Sequence, residues 1–195
     1  MILLASASVS RATLLRNAGV VFEAISSGVD EAEVKARLLN TGAGPAAIAE
    51  SLADAKALAV STGDRRLVIG ADQTLDLEGE LVDKATNLGE ARDRLRQLRG
   101  RVHVLHSAAV LARNGAITWR SMSSPRMTMR DFSDAFLDDY LERQGEAVLS
   151  SVGCYHLEGE GVQLFERVEG DQFAVLGLQI IDLLAALRGE GVLRR

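Results

Sequence analysis

The chain has 195 residues, 47% hydrophobic and 25% charged, with a net charge of −5, the profile of a globular protein with one core or two small lobes. The acidic balance excludes a general nucleic-acid binder, which needs a basic face, but leaves room for a small phosphorylated ligand gripped by a few local cations. No apolar run reaches the roughly 18 residues of a membrane span, the start has no basic signal-peptide region, and the lone Cys154 excludes an internal disulfide and a multi-cysteine metal site; a cytoplasmic address is the expectation.

Strands and helices alternate along the chain. "MILLAS" reads as a short strand, and "SRATLLRNAG" as a helix capped by Ser10 and stopped by Gly19. "VVFEAISS" returns as a strand, "EAEVKARLLN" as a helix, and Pro45 opens the long helix "PAAIAESLADAKALAVST". Leu67 to Ile69 is a buried strand, followed by a hairpin in "LDLEGELVD". "LGEARDRLRQLRG" is a helix, and Asn114-Gly115 turns two strands into a hairpin. "SPRMTMR" is a strand, Ser133 caps "DAFLDDYLERQG", "GVQLFERVEG" and "FAVLGL" are short strands, and "QIIDLLAALRGEG" closes the chain as a helix. Hairpins among helices predict an α/β domain with a long, twisted, mixed sheet flanked by helices. The strand–helix half, to about residue 100, and the hairpin-rich half, 101–195, form two lobes of one domain with a ligand cleft between them.

Several residues invite a chemical reading beside a structural one. Ser6, Ser8 and Ser10 fill the turn into the first helix, with Arg11 on its first turn. Amide groups, hydroxyls and a guanidinium there suit an anion, although serines also cap helices without any ligand. Lys56 follows Leu52 at the edge of the face marked by Ile48, Leu52, Ala55 and Ala59, where a lysine ordinarily snorkels to water. Asp72 comes directly after a buried strand. It suits a turn, or a metal ligand, or a base that activates water. Lys84, returning along the hairpin, can neutralise phosphate or orient that carboxylate. Glu31 suits either a helix N-terminus or a second Mg²⁺ ligand. His103 and His106, three apart in a strand, point to opposite faces and make no zinc site with His156 and Cys154. Trp119, Phe165 and Phe173 read as core.

Taken in order, "LLASASVSRATLL", "VDE" at 29–31, "AKA" around Lys56, "GADQ" at 70–73, "DK" at 83–84, "LRGRVH" at 98–103, "GCYHLEG" at 153–159 and "VEGDQFAVLGL" at 168–178 resemble the Maf family of nucleoside triphosphate pyrophosphatases over nearly the whole chain. The resemblance implies hydrolysis of a nucleoside triphosphate between the α and β phosphates, with a divalent cation, Mg²⁺ or Mn²⁺. It implies Asp72 as proton acceptor, Ser8, Arg11, Lys56 and Lys84 as substrate ligands, Glu31 and Asp72 as metal ligands, and a homodimer. Ser10, Gln73 and Glu158 stand at positions that bear on base choice, and they resemble the 7-methyl-GTP group more than the dTTP/UTP group. A carboxylate at 158 suits the donor edge of guanine and the charge of a methylated base. Departures from the family pattern are Ser10 for an arginine, Ala85 for a proline, Ser150-Ser151 for an acid and a lysine, and Gln179 for a proline. The Ser150-Ser151 change argues for the alternative reading, a weakly catalytic nucleotide-binding regulator of cell division.

Overall fold

The computed structural model describes residues 1–194. Two long strands form its spine: β3 (Leu67–Leu77) and β5 (Val102–Arg113), paired antiparallel from Val68↔Ala112 to Asp76↔Val104. Each changes its outer partner along its length. β1 (Ile2–Ala5) runs parallel to the start of β3, with β2 (Phe22–Ala24) beyond it, while β4 (Glu80–Val82) folds back on the far end of β3. β6 (Ala116–Ser123) covers one half of β5, and β7 (Arg126–Met129) with β8 (Phe165–Glu169) extends from the other. The eight-stranded mixed sheet is the architecture expected from the alternation of helices and hairpins.

Strand alternation sorts the apolar side chains. Leu3, Ala5, Val68, Ala108 and Val110 meet the long helix that carries Ala49, Ala53 and Ala57 on one face, and Ile2, Leu4, Ile69, Ala71 and Leu111 meet the first and last helices on the other. A third core, with Leu75, Leu105, Met127 and Tyr140, fills the far end. The helices are α1 (Val9–Asn17), α2 (Glu31–Leu39), α3 (Pro45–Ser61), α4 (Leu88–Leu98), α5 (Asp134–Gln144), the single turn α6 (Gln172–Val175) and α7 (Ile180–Gly189). Both expected hairpin turns take positive φ at two successive residues, Glu78-Gly79 and Asn114-Gly115, the geometry that matches strand twist.

Four expectations need correction. Ser8, not Ser10, caps α1: its Oγ accepts from the Arg11 amide. β3 does not end at Ile69 but runs on to Leu77, because β5 pairs with it throughout. "FAVLGL" is not a strand: Asp171 caps a turn of helix by accepting from the Phe173 amide, and Gly177, at φ +98, redirects the chain. Phe173 is exposed, whereas Trp119 and Phe165 do pack against the core.

Candidate active site

β1 pairs with β3 only as far as Gly70, and β4 joins only at Leu75. Between those partners, Ala71 to Thr74 have no neighbouring strand on that edge. The cleft opens there. Asp72 therefore sits in mid-strand, at the point where a parallel partner ends and an antiparallel one has yet to begin. The Ala71 carbonyl is satisfied by Arg11, whose Nη1 donates to it at 2.9 Å.

Lys56 is not at the edge of its helix face. The buried stripe of α3 is Ile48, Ala49, Leu52, Ala53, Lys56 and Ala57, so the ammonium points into the protein. It lies 2.5 Å from Asp72 Oδ1 and 2.7 Å from Glu31 Oε1, and only 6% of the residue is exposed. Gly70 makes this possible. A β-carbon there would lie 2.4 Å from the Ala53 carbonyl oxygen and 2.7 Å from Ala57 Cβ, so only glycine lets α3 settle against β3 this closely. The snorkelling expected of Lys56 is overruled by these two carboxylates, since a buried ammonium must be paired.

Asp30 caps α2 by accepting from the Glu33 amide, which leaves Glu31 to face Lys56. Partial burial pushes the Glu31 carboxyl upward. The hydrogen bond and charge of Lys56, with Lys35 and Lys84 near, outweigh this and hold it below the usual carboxylate range. Arg11 is buried, and its Nε donates to the Gly177 carbonyl at 2.9 Å and its Nη1 also to Ser6 Oγ at 3.1 Å. Burial lowers its pKa, opposed by Asp72 and Glu31. Much of this guanidinium is spent holding β3, α1 and the turn after α6 together.

The nine candidate site residues line one open cleft of about 1040 Å³: Ser8, Ser10, Arg11, Glu31, Lys56, Asp72, Gln73, Lys84 and Glu158. That is the upper end of the usual range for small-ligand sites. Gln73, on the opposite face of β3 from Asp72, donates from Nε2 to Ser107 Oγ at 2.7 Å and to the Ala174 carbonyl at 2.9 Å. Its amide hydrogens serve the fold, which leaves the carbonyl oxygen for a ligand. Ser150 and Ser151 also line the cleft. Ser150 gives its proton to the Ala147 carbonyl, so it accepts one from His156 Nε2 at 2.9 Å. His103 turns away behind the wall, with Nε2 2.6 Å from the Tyr155 hydroxyl, while His106 meets Asp76 on the other face.

Sequence reasoning passed over Lys35 and Asp83 as site residues. Both line the cleft and join each other at 2.7 Å. Lys35 is four residues after Glu31, and that spacing places two helical side chains on one face. With them the cleft holds four cations, Arg11, Lys35, Lys56 and Lys84, against four carboxylates, Glu31, Asp72, Asp83 and Glu158. No group of three or more His, Cys, Asp and Glu among the described residues could cage a metal alone. Glu31 and Asp72, both on Lys56, are instead a two-carboxylate set of the kind Mg²⁺ shares with substrate phosphates and water. No helix among the described residues is long and apolar enough to cross a membrane.

The chain is similar to known proteins over nearly its whole length. The Maf-like protein family matches residues 1–190. A nucleoside triphosphate pyrophosphatase of Caulobacter vibrioides is 57% identical over 190 residues, covering 97% of this chain and 96% of the relative. A 7-methyl-GTP pyrophosphatase of Rhizobium meliloti is 47% identical over 194 residues, covering 99% and 98%. Another from Brucella abortus is 46% identical over 190 residues, covering 97% and 96%. A match of that extent, across a cleft built from the motifs themselves, makes this chain a member of the Maf family.

Proposed function

We propose that this chain is a nucleoside triphosphate pyrophosphatase, releasing pyrophosphate and a nucleoside monophosphate, with 7-methyl-GTP or a similar guanosine triphosphate as its substrate. The observation that carries the reading is the buried Lys56 clamped between Asp72 and Glu31 at the open edge of β3, in a Maf chain.

The resting cleft is electrically balanced within itself, so an arriving triphosphate must exchange partners with it. The phosphates compete for the Lys56 ammonium, and Asp72 is freed to accept a proton. Asp72 takes that proton from water as the water oxygen bonds to the α phosphorus. The bond from that phosphorus to the α–β bridging oxygen breaks, and pyrophosphate leaves with the electron pair. Glu31 and Asp72 would hold a divalent cation, Mg²⁺ or Mn²⁺, which would neutralise charge on the phosphate oxygens. Ser8, Arg11 and Lys84 supply donors along the phosphate chain. Lys84 is exposed and so free to swing onto it. At the other end, Glu158 accepts from the guanine N1–H and exocyclic amine, and the Gln73 carbonyl oxygen adds an acceptor. Relatives named 7-methyl-GTP pyrophosphatases, at 46 to 47% identity, support that choice of base.

The test is pyrophosphate release with Mg²⁺ or Mn²⁺ across 7-methyl-GTP, GTP, UTP, dTTP, CTP and ATP, with Asp72→Asn beside the wild type. The expected outcome is turnover favouring 7-methyl-GTP, and a loss of about 10² or more in rate for Asp72→Asn with affinity retained. Turnover of UTP and dTTP alone would overturn the base assignment and keep the chemistry. Equal binding with no turnover by either protein would favour a nucleotide-binding regulator.

A further inference from the structure

Lys35 lies one turn after Glu31 on the face of α2 that lines the cleft, together with Ala32, Ala36 and Leu39. Its Nζ is 2.7 Å from Asp83 Oδ1, on the arm that follows β4. The Asp83 backbone is anchored independently, since Arg94 Nη1 donates to its carbonyl. The carboxylate side chain is 61% exposed, so water screens the bridge and its contribution is small. The helix that carries Lys35 has no buried residue. Little apolar packing fixes Lys35 where it is.

The charges of the cleft explain what such a bridge is for. A triphosphate brings about four negative charges. Lys56 already holds two carboxylates at close range, and Arg11 already serves two carbonyls and a serine. Of the paired cations in the cleft, Lys35 is the one whose partner is mostly in water, so its release costs least.

We propose that Lys35 is a further ligand for the triphosphate, held in the resting cleft by Asp83 and transferred to a phosphate when substrate enters. Asp83 is then a built-in competitor. It weakens the hold on substrate and speeds the departure of pyrophosphate, because the ammonium that leaves the product has a carboxylate waiting. The transfer moves no proton and breaks no covalent bond. This inference rests on the pyrophosphatase reading for its substrate, but phosphate-chain affinity tests it directly.

The experiment measures KM and kcat for 7-methyl-GTP and the Kd for inorganic tripolyphosphate, both with Mg²⁺, for wild type, Lys35→Met, Asp83→Asn and the double variant. Lys35→Met raises KM and Kd about tenfold, the loss of one charge-assisted contact, with the effect falling on KM rather than kcat. Asp83→Asn lowers both by about threefold or more, because the competitor is gone. The double variant matches Lys35→Met, since Asp83 acts only through Lys35. A bridge that merely braces α2 predicts something else: both single variants shift affinity the same way, and both lower the melting temperature. That result overturns the proposal, as does unchanged affinity in Lys35→Met or a wild type that binds no tripolyphosphate. A wild type that binds tripolyphosphate but hydrolyses no nucleotide sinks the catalytic reading, while the four affinities still decide the role of Lys35.

Discussion

The two ends of the cleft are built on opposite plans. At the end proposed to hold the phosphates, Arg11, Lys56 and Asp72 are buried, and each is held by partners from distant parts of the chain. At the end proposed to hold the base, Ser150 and Glu158 are exposed and His156 half-buried, and Ser150 and His156 bond within a stretch of seven residues. A buried charge must be fully satisfied before any ligand arrives, so the phosphate end is rigid and its residues are interdependent. An exposed edge carries no such debt and can vary its chemistry without endangering the fold. The comparison implies that damage to the buried residues Arg11, Lys56 and Asp72 reaches stability and rate together, whereas changes at the exposed Glu158 alter selectivity alone.

The largest effect tests the interdependence. Lys56→Met removes the cation bonded to both Asp72 and Glu31. It is expected to abolish turnover and to cost about 3 kcal/mol of stability at pH 7, the usual penalty for orphaning a buried charge. Adding Asp72→Leu to Lys56→Met should return much of that stability and none of the activity. A double variant no more stable than the single one, by denaturant melting, would show that Lys56 matters through packing alone.

Acid probes the wall behind the base end. Burial lowers the His103 pKa from 6.5 to about 4, and its Nδ1 has no partner among the described residues. The unfolded imidazole takes a proton near pH 6.5, the folded one only near pH 4. Between those values the unfolded chain binds more protons, so stability falls as pH drops through this window and levels off below it. The full loss is about 3 kcal/mol at 1.36 kcal/mol per pKa unit. His103→Phe should flatten that part of the pH–stability curve. A curve as steep in His103→Phe as in wild type would assign the acid sensitivity elsewhere.

What could be read from sequence divides along the same line. Asn114-Gly115 and Pro45 act locally, through φ and the missing amide, so the hairpin and the helix start were visible in the residues alone. The length of β3 was not, because Asp72, a poor strand former, is held extended with Gln73 by pairing with Ala108 and Ser107 on β5. "FAVLGL" has strand composition, but the Asp171 cap and Gly177 override it. For the site, the ordered motifs pointed to residues that the structure brings together along one cleft. Lys35 escaped because a lysine on an exposed helix looks like any solvated charge until Asp83 is seen beside it.

Gly70→Ala is expected to act at the same end with a smaller effect. The added methyl meets the Ala53 carbonyl oxygen, a backbone atom that can move only with α3. The shift draws Lys56 away from Asp72. We expect about 2 kcal/mol of destabilisation and a rate loss of about tenfold or more, since an ångström of misplacement suffices. A normal rate in Gly70→Ala would mean that the close approach of α3 is not what sets the Lys56–Asp72 distance.

Glu158→Gln is the smallest perturbation and the sharpest test of the base end. A carboxylate offers acceptors to both the N1–H and the amino group of guanine. A glutamine offers one acceptor and one donor, and the donor faces a guanine donor. The carboxamide matches uracil or thymine better, where an acceptor and a donor lie side by side. The expected result is a drop of about tenfold in kcat/KM for 7-methyl-GTP, the cost of one mismatched edge contact, with a rise for UTP. Because Glu158 is exposed, the melting temperature should not move. If the variant loses stability as well as selectivity, the base end is braced like the phosphate end, and the contrast between them fails.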